Sequence, residues 1–304
     1  MLHKLLVSSV ALIGLSLAGA ASAQTKLDIT KPEDIFKANR KQTCSLVEGT
    51  PVLHWWEGKV YGRRSGEKDR HLFNVQGMNV RSCKFYNDPK RGLGYRSGSR
   101  EVMLHLDPET NQVIPTWKNP WTGEEVEIIN VANDPVSMSQ PVYERDPEGK
   151  PTSVFRYTEH GGFFLSGGSA ARLFYKNPMA GDYQEYIGGD YHAMEFGTDA
   201  IPVDQMLDPA ADITDAVLSW GRVSKWLPWM KMGDRDGVVI YHTAGKRAEK
   251  GYAELPEPLA SELKKNYPIY LAPPPLDDTR PNETTWTVVK KAVDKKRAEE
   301  AKKK

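Results

Sequence analysis

The chain has only two cysteines in 304 residues, Cys44 and Cys83. Neither belongs to a CxxC or CxxCH arrangement, which excludes a dithiol redox motif, a c-type haem attachment and a four-cysteine zinc site. An excess of one charge is missing too: 41 Lys and Arg stand against 40 Asp and Glu, a net +1. No global field therefore draws the chain toward nucleic acid or an anionic membrane. No GxSxG elbow, no nucleophilic Cys–His arrangement and no internal repeat are present. What the chain has in quantity is aromatic surface, 8 Trp and 13 Tyr, in a composition that is 39% hydrophobic. That payload argues against disorder and for a large packed core.

The first residues read as an address. Lys4 is followed by an apolar run, Leu5 to Leu17, broken only by Ser8, Ser9, Gly14 and Ser16, and then by the small-x-small site Ala21-Ser22-Ala23. The run is shorter than the ~20 residues a bilayer span needs, so cleavage after Ala23 and export, to a bacterial periplasm, are expected. The residue directly after that site is Gln24 and not a cysteine, so no lipid anchor is expected, and with no stop-transfer pattern following, no integral membrane segment is expected in the mature chain. In an oxidising compartment two thiols favour a Cys44–Cys83 disulfide, worth roughly 2–4 kcal/mol through the loop it closes. Two separate buried thiols are the alternative.

Thr30-Lys31-Pro32-Glu33 fits a capping box, so a short helix over 31–41 is expected. From Pro51 the hydrophobic period becomes two, with runs at 52–61, 71–82, 100–106, 126–132, 137–144, 153–158, 171–175, 183–196, 216–223 and 238–243. Turn-forming strings such as Asp107-Pro108-Glu109-Thr110-Asn111 and Asp146-Pro147-Glu148-Gly149 separate them. Ten short strands without long alternating helices mean a mainly β, antiparallel fold. The expectation is a barrel or strongly curved sheet, lipocalin-like in general shape, with short helices at its ends. Those helices fall at 224–232, around Pro228, and at 257–266, with Leu259 and Leu263 one turn apart. The organisation expected is a leader over 1–23, a helical lead-in over 24–50, one β domain over 51–275, and a strap and charged tail over 276–304. The Lys/Glu-rich end from Lys290 reads as a frayed helix or disordered tail.

Several strings resemble a known family. They are Trp55-Trp56-Glu57-Gly58-Lys59-Val60-Tyr61-Gly62, Gly77-Met78-Asn79, Asn119-Pro120-Trp121-Thr122-Gly123-Glu124 and Val131-Ala132-Asn133-Asp134-Pro135-Val136. Ser219-Trp220-Gly221-Arg222-Val223, Trp226-Leu227-Pro228-Trp229-Met230-Lys231-Met232-Gly233-Asp234, Tyr241-His242 and Leu271-Ala272-Pro273-Pro274 complete the set. Their order and content resemble the bacterial domain-of-unknown-function family numbered 1838, over roughly residues 35–275. The resemblance implies a shared fold. It brings no activity and no catalytic residue with it.

Polar side chains on apolar strand faces give the functional expectation. Asp190 and His192 share a face with Met194 and Phe196, Arg222 shares one with Leu218 and Trp220, His242 with Val238 and Ile240, and His54 with Val52, Trp56 and Val60. If these faces line one interior, it holds a small apolar or aromatic molecule between Trp side chains. A His beside an Asp can move a proton near neutral pH, and Arg222 can neutralise an enolate, carboxylate or phenolate. The expected set for a cofactor-free isomerase- or lyase-type step is thus Asp190, His192, His242 and Arg222. His54, Trp56, Trp220, Trp226 and Trp229 are expected to contact the ligand. Each inward His can equally be a satisfied core residue, and the Trp226–Met230 segment a plug over one end. His192 and Glu195, three apart, do not have the spacing of a metal pair on a strand, and no metal is expected. The alternative reading is a non-catalytic carrier or a cell-envelope scaffold. Composition leaves the oligomeric state open.

Overall fold

A computed structural model describes residues 25–166, 169–177, 179, 183 and 189–303. The leader expected over 1–23 and residues 184–188 of the strand expected over 183–196 lie outside them. After α1 (Pro32–Thr43) come β1 (Val52–Arg63), β2 (Arg70–Asp88) and β3 (Gly92–Leu106). Short strands follow: β4 (Thr116–Lys118), β5 (Glu125–Glu127), β6 (Val131–Val136), β7 (Val142–Tyr143), β8 (Tyr157–His160) and β9 (Phe163–Ser166). The remainder is β10 (Ser169–Lys176), β11 (Asp190–Pro202), α2 (Val203–Leu207), β12 (Val217–Ser224), β13 (Val238–Arg247), α3 (Leu259–Asn266) and α4 (Thr285–Ala301).

The strands form an eleven-stranded antiparallel sheet in the order β6-β3-β2-β1-β13-β12-β11-β9-β8, with β7 also on β3 and β10 also on β11. β4 and β5 make a separate hairpin. The antiparallel β expectation holds, but a closed barrel does not: among the described residues no pairing joins the β6 end of the sheet to the β8 or β10 end. The expected strand over 137–144 shrinks to the two residues of β7. Ser137 has a φ of +52°, which breaks the extended run, and Pro141 has no amide to donate.

Strand parity separates two faces. On one, Trp56 and Val60 of β1 join Phe73 and Val75 of β2, Met103 of β3, Tyr191 and Ala193 of β11, and Val239 and Tyr241 of β13 in the largest core. On the other, Leu53, Met78, Val80, Val102, Leu104 and Leu106 are covered by Leu255, Leu259, Leu263 of α3 and Tyr270. The cover stops there. Beyond β13 the second face carries Phe174, Met194, Phe196 and Val217 at 72%, 42%, 45% and 58% exposure. Neighbouring backbones run so close in this sheet that a Cβ on Gly58 would collide with the His242 carbonyl, so only glycine fits there.

The helices tie the ends down. α1 begins at Pro32 with Lys31 as its cap and no side-chain cap bond; the expected capping box is absent because the Thr30 hydroxyl donates to Asp28 Oδ1 instead (2.6 Å). Lys41 of α1 is buried and donates from Nζ to the carbonyls of Gln205, Met206 and Asp208. The disulfide joins Cys44, just past α1, to Cys83 of β2, among Phe36 and Tyr95. The C-terminal segment differs from the frayed or disordered tail expected. Thr284 and Thr287 form a reciprocal capping box, and Trp286, Val289 and Val293 recur at i, i+3 and i+7 into the core. The Trp286 ring lies 4.6 Å from that of Tyr191 on β11, while Glu283 N donates to Pro135 O on β6 (2.8 Å). Three apolar positions per two turns are enough to dock a helix whose other residues are charged.

Candidate functional site

The Trp56 face collects charge as well as aromatic surface. Register sets it out: Glu101 of β3 pairs with Asn79 of β2, Asn79 with His54 of β1, and His54 with Arg247 of β13. Arg81, two residues from Asn79, shares the face. Further along, Tyr241 of β13 pairs with Arg222 of β12, and Arg222 with Glu195 of β11. Arg222 Nη1 is 3.2 Å from Glu195 Oε1, and its Nη2 donates to the Tyr191 hydroxyl. Between these charged groups the Trp56 and Trp220 rings lie 6.3 Å apart. Trp56 lies flat because β2 offers Gly77 beneath it; a Cβ there would sit 2.5 Å from the indole Cε2.

The electrostatics of this face are unusual. Glu101 is pushed up to about 7, first by burial and then by the nearby Glu195 charge, against the pull of Asn79, Arg222 and Arg81. It is therefore a carboxyl able to give or take a proton at neutral pH. His54 is pushed well below the usual imidazole value by burial, then by Arg81 and Arg247, and is neutral. Burial opposes the Arg222 charge, but Tyr191, Glu195 and Tyr241 outweigh it and hold the guanidinium protonated. His54, Arg81 and Glu101 keep part of their surface accessible, and burial is the first cause of each shift. Several atoms of this face are buried without a hydrogen-bond partner: Trp56 Nε1, Arg222 Nε, His54 Nδ1 and Asn133 Oδ1.

The residues expected to act together are divided between the two faces. Arg222, His54, Trp56 and Trp220 lie on the charged face. Asp190, His192 and His242 point the other way and are exposed, and the His192 ring meets the exposed Phe174 ring at 6.0 Å. The expected convergence of Asp190, His192, His242 and Arg222 is therefore corrected to Arg222 alone. Parity in β11 and β13 is the reason: Tyr191, Ala193 and Glu195 face the core, so Asp190, His192, Met194 and Phe196 cannot, and His242 lies opposite Tyr241 and Thr243. His192 and Glu195 are likewise on opposite faces. Trp226 and Trp229 are buried as packing. Trp226 packs tilted against Trp121 (4.9 Å) and donates Nε1 to the Arg235 and Asp236 carbonyls, while Trp229 packs on Phe73, His105 and Trp117.

The sequence reading missed Glu101, Glu195, Arg81 and Asn79 as site residues. The signal for Glu195 was its two-residue step from Ala193 and Tyr191. Glu101 and Arg81 had none, since their face is fixed only by pairing with β1. His105 is a satisfied core histidine: Asn130 Oδ1 accepts from its amide and lies 3.3 Å from Nδ1, and Nε2 meets the Tyr241 hydroxyl at 3.2 Å. Away from this face an open cleft of about 510 Å³ is lined by Arg70, His71, Leu72, Ile114, Trp117 and Lys118 among others. Its main polar groups already have partners, Arg70 with Glu67 and His71 with the Phe73 carbonyl. Among the described residues no helix is long and apolar enough to cross a membrane.

Neither a curated protein nor a solved structure matches the chain. A family model does, over residues 49–293; it starts after α1 and runs on past the expected limit near 275 to Val293, taking in the buried stripe of α4. By that match, which covers most of its length, the chain belongs to the family described as protein of unknown function (DUF1838).

Proposed function

We propose that the protein binds a small apolar or aromatic molecule on the Trp56 face and moves a proton on it. Glu101 is the proton-transfer group, and Arg222, paired with Glu195, stabilises the negative charge that develops. The reading rests on a strongly curved sheet. Along β3-β2-β1-β13 three strand steps would separate His105 and Tyr241 by about 14 Å on a flat sheet, yet their side chains meet at 3.2 Å. Five steps, about 24 Å flat, part Glu101 from Glu195, yet the Glu195 charge acts on Glu101. Both observations support a rolled sheet with the charged face inward and α4 at its seam.

The observation that carries the proposal is that Trp56 Nε1, Arg222 Nε and His54 Nδ1, three of the buried polar atoms without a partner, share this one face. Buried polar groups normally find partners, and a ligand is the partner these lack. The open cleft near Trp117 offers no such orphans. The chemistry needs no added oxidant or metal: Glu101 as carboxylate removes a proton from carbon beside a carbonyl, the enolate rests against Arg222, and Glu101 returns the proton at a new position. The disulfide supports work in an oxidising compartment, and with the leader it supports export to the periplasm.

The test is native against denaturing mass spectrometry of periplasmic protein, followed by proton exchange. A bound molecule released on denaturation, whose carbon-bound protons exchange with deuterium oxide in the wild type and not in Glu101→Gln, is the expected result. A ligand that binds but exchanges equally in both proteins reduces the reading to a carrier. An interaction role, the second reading, draws on the exposed Phe174, Met194, Phe196 and Val217. It gains if no ligand is bound at all.

A further inference from the structure

We infer that the molecule bound on this face is a carboxylate, its anionic head held by His54 and Arg81 and its apolar body lying along Trp56 toward Trp220. This rests on the binding reading above and extends it to a chemical class. The argument begins with a tautomer. Arg247 Nε lies 3.3 Å from His54 Nε2, and a guanidinium nitrogen can only donate. His54 Nε2 therefore accepts and carries no proton, and the neutral ring bears its proton on Nδ1. That Nδ1–H is buried and has no acceptor.

Beside it lies a second donor without an anion. Arg81 is on the same face, diagonal to His54 through Asn79, and its Nε donates to Asn79 Oδ1 (3.2 Å). Among the described residues neither Arg81 nor Arg247 forms a salt bridge. Arg247 is solvated by the carbonyls of Lys41, Gln42 and Thr214; Arg81 has no such set. The acidic groups that act on Arg81 are Glu101 and Asp199, and among the described residues neither makes an ion pair with it. Asp199 is further occupied by Gln42 Nε2 (3.3 Å). A guanidinium held in such a place without a counter-ion is costly, and a bound anion removes the cost. A free inorganic ion would answer the charge but not the surface next to it. Trp56 is the next residue on this face of β1 after His54, and its ring continues to Trp220. An anionic group joined to an apolar body fits both halves.

The test uses 3-phenylpropanoate and its neutral analogue 3-phenylpropanamide, titrated against the full chain by Trp fluorescence and calorimetry. In the wild type the carboxylate is expected to bind at least tenfold more tightly than the amide. Arg81→Gln should remove that difference, and Arg81→Lys should restore part of it. A second readout needs no variant: the His54 Nδ1 proton resonance should move on adding the carboxylate and not the amide. Equal affinity for the two probes, or an unmoved His54 resonance, overturns the carboxylate proposal and leaves the apolar site standing. Inorganic phosphate that displaces the carboxylate and stabilises the protein as strongly overturns the organic class in favour of a free anion. Binding of neither probe to the folded protein overturns the small-molecule reading itself.

Discussion

Glu101 should make the folded chain less stable as the pH rises from 4.5 to 8. Its carboxyl titrates near 7 when folded, against 4.5 for an ordinary glutamate. Between those values the native state keeps a proton that the unfolded chain has released, so raising the pH favours unfolding across that window. The gap amounts to about 3 kcal/mol. The wild-type profile alone does not isolate it, because two histidines act in the opposite sense. His54 and His105 stay neutral in the fold, His105 down to about 4, and gain stability as the pH climbs toward 6.5, where the unfolded imidazoles lose their protons. Glu101→Gln separates the effects, since its amide is neutral throughout and the histidine contributions cancel in the difference. Urea unfolding followed by Trp fluorescence at pH 4.5, 6, 7 and 8 should show the variant gaining about 3 kcal/mol on the wild type between the first and the last. The gain should be complete by about pH 8, one unit above the folded value. A difference between the two proteins that does not change with pH would refute the buried, charge-crowded setting of Glu101, and with it the proton-transfer role.

Replacing Cys44 and Cys83 together by Ala removes a link between residues 39 apart and should cost about 4 kcal/mol by loop entropy; an unchanged urea midpoint after reduction would contradict this. Trp286→Ala should cost about 3–5 kcal/mol and undock α4, seen as lost near-ultraviolet dichroism from the Tyr191 contact. Retained stability would mean that the helix is an appendage. His192→Ala and His242→Ala, both exposed on the far face, should each shift stability by less than about 0.5 kcal/mol and leave ligand affinity alone. Loss of binding in either would reinstate the face that parity excludes. Gly77→Ala places a Cβ against the Trp56 indole and should cost about 1–3 kcal/mol while weakening ligand binding, with affinity read by calorimetry.

The sequence by itself determined the antiparallel β class, most strand positions, α3 and the residues of the disulfide. These follow from local causes: a period of two, turn chemistry, and two thiols with only each other to pair with. Of the larger group that the sequence expected to converge, Trp56, Trp220, His54 and Arg222 share one face, while Asp190, His192 and His242 lie on the other. Tertiary structure decided the rest. In β11 and β13 both parities are apolar, so hydropathy did not reveal that Tyr191 and Tyr241 point into the core while His192 and His242 point out. The direction is set by pairing in the sheet, of β11 with β12 and of β13 with both β12 and the sequence-distant β1. The buried stripe of α4 was hidden among lysines until Tyr191 and the β6 edge gave Trp286 something to pack against. Glu101 is by sequence a charged residue near the start of an apolar strand, and it becomes a group that titrates near neutrality only when the sheet brings Glu195 and the core around it. A residue's charge chemistry is fixed by what surrounds it, and those neighbours come from strands far apart in the chain.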